Sequence, residues 1–343
     1  MPLPLGLLPT PLHRLNRVSD RLGLDIWVKR DDLTGFGLSG NKVRKLRYLL
    51  AEAQQQGARA VVTCGGIQSN HCRATAVAAR QLGLHPALLL RGVQPTQDDV
   101  IAGRSALDAN LLIAAVLGAE VHWCDRAGYA HRDRRMAEIA ARLTGEGLPA
   151  YVIPEGGSNA IGALGFVEAG QELSDQAAGH GLAFDSLICA VGSGGTLAGL
   201  AMAGLDTQVL GVAVCDDRAY FRARVEAIAA QAAVHSGLTL PQTGWDVLEG
   251  YQGRGYALST PDELRELAVL AREEGLLLDP VYTGKAWMAL LDLARNDRSR
   301  LGQRVLFWHT GGAFGLFGRG GEIAAAMGEE LAASGLLAPH REA

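Results

Sequence analysis

Residues 186–204 read SLICAVGSGGTLAGLAMAG. An apolar run (Ser186–Val191), a glycine turn (Gly192-Ser193-Gly194-Gly195-Thr196) and a second apolar run follow each other without a break. The first run is too short for a buried helix and suits a strand covered on both faces; the second suits a helix. A strand entering a helix through glycines is the unit of a parallel α/β sheet. In such a turn several backbone N–H groups can point inward, and the helix N-terminus adds partial positive charge, so the segment reads as a phosphate cradle that needs no basic side chain. The plain alternative is a tight strand–helix turn that binds nothing. The turn has no P-loop lysine, and Leu197 breaks a GxGxxG dinucleotide pattern.

The same alternation extends in both directions. Strands are expected at 25–28, 60–63, 86–90, 120–123, 150–153, 209–214 and 305–308, and helices at about 42–56, 70–82 and 110–117. Lys42–Ala53 places Val43, Leu46, Leu49, Leu50 and Ala53 on one helical face. No repeat or low-complexity tract interrupts the pattern, and Gln94–Val100 is a polar interruption rather than a linker.

Composition narrows the function. The 343 residues carry 32 Lys plus Arg against 36 Asp plus Glu, a net charge of −4, so no nucleic-acid partner is expected. No apolar run reaches the roughly 18 residues of a membrane span, and the proline-broken start MPLPLGLLPTPLHRLNR does not read as a signal peptide. Five cysteines without CxxC spacing argue against disulfides or structural zinc and for a reducing, cytoplasmic setting. Forty-four glycines, about 13% against the usual 7%, direct attention to the turns.

Three further turns stand out. Gly35-Phe-Gly-Leu-Ser-Gly-Asn-Lys42 superficially resembles GxxxxGK, but Asn41 intervenes and Val43 stands where a magnesium-binding hydroxyl belongs. What remains is Lys42 at a helix start, where an ammonium is disfavoured. It reads equally as a nitrogen held neutral for Schiff-base chemistry or as a solvated lysine of the KVRK run. In Cys64-Gly-Gly-Ile-Gln-Ser-Asn-His71, Ser69 is a good N-cap, and the helix amides behind it can receive a carboxylate or simply be capped. His309-Thr-Gly-Gly312 closes a strand at its C-terminal end, where α/β ligands gather. Arg30-Asp31-Asp32 reads as a charged strand end that orders the loop before Lys42, rather than as paired acid–base carboxylates.

Together these segments resemble a known family. SGNKVRKLRYLLAEA (39–53), GGIQSNHCRATAVAARQLGL (65–84), VIPEGGSNAIGALGF (152–166), VGSGGTLAGLA (191–201), GYAL (255–258), LLLDPVYTGKA (276–286) and LFWHTGG (306–312) are similar to the D-cysteine desulfhydrase and 1-aminocyclopropane-1-carboxylate deaminase family of fold-type II, tryptophan-synthase-β-like pyridoxal-phosphate enzymes. The resemblance covers nearly the whole chain. It implies two α/β domains of mostly parallel twisted sheets flanked by helices: a large one from 1–47 and 158–343, and a small mobile one from 48–157. It also implies a homodimer.

The cofactor implied is pyridoxal 5′-phosphate, with Lys42 its Schiff-base partner. Lys45 and the Gly192, Ser193, Gly194, Gly195, Thr196 turn would face the phosphate, Asn70 the phenolic oxygen and Thr310 the pyridine nitrogen. Tyr282 would stack on the ring with its hydroxyl near the reacting carbon. Ser69 would receive the substrate carboxylate and pass protons. Asn70, His71 and Tyr256 complete the substrate side, His71 as a packing neighbour; His309 is also read as packing, and no metal is expected. Members that open the cyclopropane ring carry Glu and Leu where this chain has Thr283 and Thr310, which favours β-elimination on D-cysteine to hydrogen sulfide, pyruvate and ammonia. The alternatives are the cyclopropane deaminase, a cysteate sulfo-lyase, or a non-catalytic nucleotide-binding protein using the 35–42 loop.

Overall fold

A computed structural model describes residues 1–103 and 105–338. Ten strands form two sheets: β1 (Leu12–Arg14), β2 (Asp25–Arg30), β3 (Ala60–Gly66), β4 (His85–Arg91), β5 (Glu120–Cys124), β6 (Ala150–Val152), β7 (Ser186–Val191), β8 (Gln208–Ala213), β9 (Trp245–Leu248) and β10 (Arg304–His309). One sheet has the order β1-β2-β10-β7-β8-β9, parallel except for β1 against β2; the other, β5-β4-β3-β6, is wholly parallel. The chain therefore starts in the larger sheet, builds the smaller one from 60 to 152, and returns. All eight strands expected from the sequence form.

Period-two burial explains why the central strands read as continuous apolar runs. On β10, Val305 and Phe307 pack into one core and Leu306 and Trp308 into the other; on β7, Ile188 and Ala190 oppose Leu187, Cys189 and Val191. The smaller sheet divides likewise, with Val62 and Leu89 on one face and Val61 and Leu88 on the other.

The helices Lys42–Gln55 and Ala160–His180 cross so closely that a Cβ on Gly165 would overlap the Arg44 carbonyl. Replacing Gly165 with Ala must push apart two backbones rather than a flexible side-chain tip. We expect Gly165→Ala to destabilise by about 1–3 kcal/mol, read as a lower urea midpoint at unchanged m-value. The Lys42 helix runs without interruption through residue 48, where the small domain was expected to begin.

Candidate active site

The turns after β2, β3, β7 and β10 converge on one cavity of about 760 Å³. Lys42, Ser69, Asn70, His71, Gly192, Ser193, Gly194, Thr196, Tyr256, Tyr282 and Thr310 all line it. Lys45 and Gly195 lie just behind the wall: Lys45 Nζ donates to Ser158 Oγ (2.9 Å) and Gly156 O (3.2 Å), and Gly195 N to the same Ser158 Oγ (3.2 Å). Residues more than 250 positions apart thus share one site, which is the usual place for ligands in parallel α/β sheets.

Lys42 opens its helix as expected, and among the described residues its amine has no hydrogen-bond partner. Burial lowers its pKa to about 8, against the opposing pull of the Glu155 and Asp279 carboxylates. About a tenth is therefore unprotonated at pH 7, against less than a thousandth at the ordinary lysine pKa, and is free to attack an aldehyde.

At the 192–196 turn, Gly194 has φ of 90°, and a Cβ on Gly192 would come within 3.0 Å of the Tyr282 ring. Among the described residues the N–H groups of Ser193, Gly194 and Thr196 have no backbone acceptor, and they stand at the start of the helix Gly195–Met202. These open donors at a helix start, with the Lys45 amine one hydroxyl behind them, fit a phosphate.

Ser69 caps the helix Asn70–Gln81, accepting from Cys72 N at 3.1 Å. Asn70 Oδ1 accepts from Asn110 Nδ2 (3.1 Å), which leaves its amide NH₂ to face the cavity. Thr63 Oγ1 donates to the Ile153 carbonyl (2.9 Å) and lies 2.9 Å from His71 Nε2. With the hydroxyl proton so used, Nε2 carries the imidazole proton and Nδ1 is left without a partner. Burial first, then the Lys42 and Lys45 charges, hold His71 far below its ordinary pKa, so it is neutral.

Tyr256 and Tyr282 meet through their hydroxyls at 2.5 Å, ring centroids 6.0 Å apart and planes at 76°. Burial raises both pKa values, Tyr282 well above its ordinary 10.0, so both stay phenols near neutral pH. The group that fixes Tyr282 is Asp279, which sequence reasoning passed over. Its Oδ2 accepts from Val281 N and Tyr282 N (2.9 Å each), and its Oδ1 from Thr283 N (2.9 Å) and Thr283 Oγ1 (2.7 Å). Thr283 is fully buried against Asp279 and does not line the cavity, whereas Thr310 does. Among the described residues the Thr310 hydroxyl makes no hydrogen bond, while its carbonyl accepts from Asn41 N (3.0 Å) and ties the two loops together.

Three more residues escaped the sequence. Ser158 joins Lys45 to the glycine turn through Ser193 Oγ at 2.7 Å. Asn41 Nδ2 donates to Thr196 Oγ1 (3.1 Å). Glu155, on the cavity wall, accepts from the Tyr129 hydroxyl (2.6 Å) and pairs with Arg132 (3.2 Å). Both Glu155 and Ser158 lie in the PEGGSN stretch, whose only signal was its likeness to the family text. His309 is buried, with Nε2 on the Leu277 carbonyl (3.0 Å), a packing role as expected.

An unpartnered, low-pKa lysine facing an open-amide turn across a cavity lined by hydroxyls defines an enzyme that holds an aldehyde cofactor with an anionic tail. Residues 3–311 match the family described as pyridoxal-phosphate dependent enzyme. The chain belongs to that family, and pyridoxal phosphate is its cofactor. It is 42% identical over 314 residues to D-cysteine desulfhydrase of Yersinia enterocolitica serotype O:8 / biotype 1B, covering 90% of this chain and 92% of that protein. It is 39% identical over 335 residues to the mitochondrial bifunctional D-cysteine desulfhydrase/1-aminocyclopropane-1-carboxylate deaminase of Arabidopsis thaliana, covering 94% and 81%. Among solved structures, an ACC deaminase homologue superposes with a TM-score of 0.85 at 36% identity, over 95% of this chain and 96% of the other.

Proposed function

We propose that this enzyme eliminates hydrogen sulfide from D-cysteine, giving pyruvate and ammonia. The names of its relatives support that substrate. The observation that carries the choice of reaction is Thr310, a neutral hydroxyl in the HTGG turn that the family resemblance sets against the pyridine nitrogen. When bound, pyridoxal phosphate supplies an electron sink at the substrate α-carbon. A neutral partner for the ring nitrogen weakens that sink and favours prompt loss of a good leaving group from the β-carbon.

The roles of the chain's own residues follow from their geometry. The open amides of Ser193, Gly194 and Thr196, backed by Lys45, hold the phosphate, and Asn70 the phenolic oxygen. Ser69 and the amides behind it orient the substrate carboxylate. Lys42 Nζ, unprotonated in part at neutral pH, takes the α-proton. The Cβ–S bond then breaks with its electron pair leaving on sulfur, and water hydrolyses the remaining fragment to pyruvate and ammonia. Tyr282 and Tyr256, both phenols, can give a proton on the opposite side but not remove one.

Purified protein supplied with pyridoxal phosphate should release sulfide and pyruvate in equal amounts from D-cysteine. No sulfide above a Lys42→Ala control, with 2-oxobutyrate formed from 1-aminocyclopropane-1-carboxylate, would reverse the order of the two activities. We take the 48–157 domain to close over substrate against 1–47 with 158–343, with the first boundary falling inside the Lys42–Gln55 helix, and the enzyme to be a cytoplasmic homodimer. The exposed Phe36 and Phe317 around Phe314 support the dimer. Among the described residues no helix is long and apolar enough to cross a membrane.

A further inference from the structure

Arg91 ends β4, paired in register with Gly66 of the turn that leads to Ser69. Its guanidinium lies 5.1 Å from the ring centroid of Tyr129 and 5.8 Å from that of Tyr256. The two rings come from opposite sides of the cavity: Tyr129 follows β5 and Tyr256 follows β9. Among the described residues no carboxylate or carbonyl accepts from Arg91, and no ion pair holds it, although it lines the cavity. The other cavity arginines differ. Arg132 is committed to Glu155, while Arg126 and Arg224 are exposed at the rim. Two aromatic faces fix the Arg91 cation by cation–π contact and leave its N–H edge free. Tyr256, one of those two rings, shares its hydroxyl with Tyr282.

We infer that Arg91 is a specificity-determining residue that receives a negatively charged group on the substrate β-carbon. The favoured ligands are amino acids with an anionic β-substituent, such as sulfonate, sulfinate or carboxylate, and a hydrosulfide leaving from D-cysteine meets the same cation. The inference rests on the amino-acid site proposed above, but not on D-cysteine being the preferred substrate. A fixed guanidinium with open donors makes charge-assisted bonds that a neutral substituent cannot replace, a discrimination of about ten- to a hundredfold.

The test is calorimetric titration of the holoenzyme with cysteate and aspartate, each as D- and L-form, against D- and L-alanine. Wild type should bind the anionic member of one enantiomeric series at least about tenfold tighter than alanine. Arg91→Gln should remove that difference and leave alanine binding unchanged, with Arg91→Lys retaining part of it. Equal affinity for alanine and the anionic amino acids in wild type overturns the proposal. So does an equal loss for all ligands in Arg91→Gln, which would assign Arg91 to the α-carboxylate or to structure. Sulfide release from D-cysteine by wild type, measured separately, decides the substrate reading whichever way the titrations fall.

Discussion

Lys42→Ala should abolish sulfide release, by about a thousandfold or more, while leaving the thermal midpoint close to wild type. Two independent features make this loss larger than for any other side chain in the cavity. Among the described residues the Lys42 amine has no hydrogen-bond partner, so its removal breaks no hydrogen bond. It is also the group whose burial lowers its pKa to about 8, which allows a single nitrogen both to capture the cofactor aldehyde and to accept a proton. Lys45 cannot substitute, since its amine is anchored to Ser158 and Gly156 behind the glycine turn. The same pKa has a kinetic signature. On mixing cofactor-free protein with pyridoxal phosphate, the visible absorbance of the loaded enzyme should grow faster as pH rises, about tenfold per unit, and level off above pH 8. Only the unprotonated amine is a nucleophile, so a rate independent of pH between 6 and 8 would show that the amine is not held near 8. Substantial sulfide release by Lys42→Ala would remove the lysine from the chemistry altogether.

What could be read from the sequence divides along the range of the interactions. The strands at 186–191 and 60–66, the helix starts at Lys42 and Asn70 and the Ser69 cap are encoded by neighbours a few positions apart, so period and turn chemistry expose them. β1 and β9 are different. β1 has three residues next to Pro11 and is held mainly by pairing with β2, and β9 carries Asp246 for Arg218, Arg222 and Arg300. β1 has no local apolar signature, and in β9 the charged Asp246 interrupts the apolar run of Trp245, Val247 and Leu248. At the site, family likeness located Tyr282 but not the carboxylate three residues earlier that fixes it and also takes the Thr283 hydroxyl. Glu155 and Ser158 act on Lys42 and Lys45 from more than 100 positions away, which no periodicity can reveal.

Asp31→Ala should destabilise the protein by about 3–5 kcal/mol. Its charge reads in the sequence as a loop-ordering strand end; in three dimensions it closes a buried ionic network. Arg44, Lys29 and Asp31 are all fully buried. Arg44 Nε and an NH₂ group each donate to Asp31 at 2.8 Å, and both terminal nitrogens of Arg44 reach Glu172 at 2.9 Å. Lys29 Nζ also pairs with Glu172 and donates to the Thr10 carbonyl (2.6 Å). Thr10 Oγ1 and Trp308 Nε1 donate to the Asp31 carboxylate at 2.9 Å each. Removing one anion leaves a buried guanidinium short of its partner, and that desolvation cost is unrelieved because water does not reach the site. The start of the Lys42 helix is affected as well, since Arg44 follows Lys42 by two residues.

Acid should attack the same cluster through Glu172. Burial alone would raise its pKa, but Arg44 and Lys29 overcome this and hold it at about 2, below its ordinary 4.5. Between those values the unfolded chain binds the extra proton. The contribution of Glu172 is therefore fully present above about pH 4.5 and is lost as pH falls toward 2. Urea midpoints measured across that window should fall less steeply in Glu172→Gln than in wild type, while Asp31→Ala should start low at neutral pH. Parallel acid slopes in wild type and Glu172→Gln would mean that some other carboxylate holds the fold together at low pH.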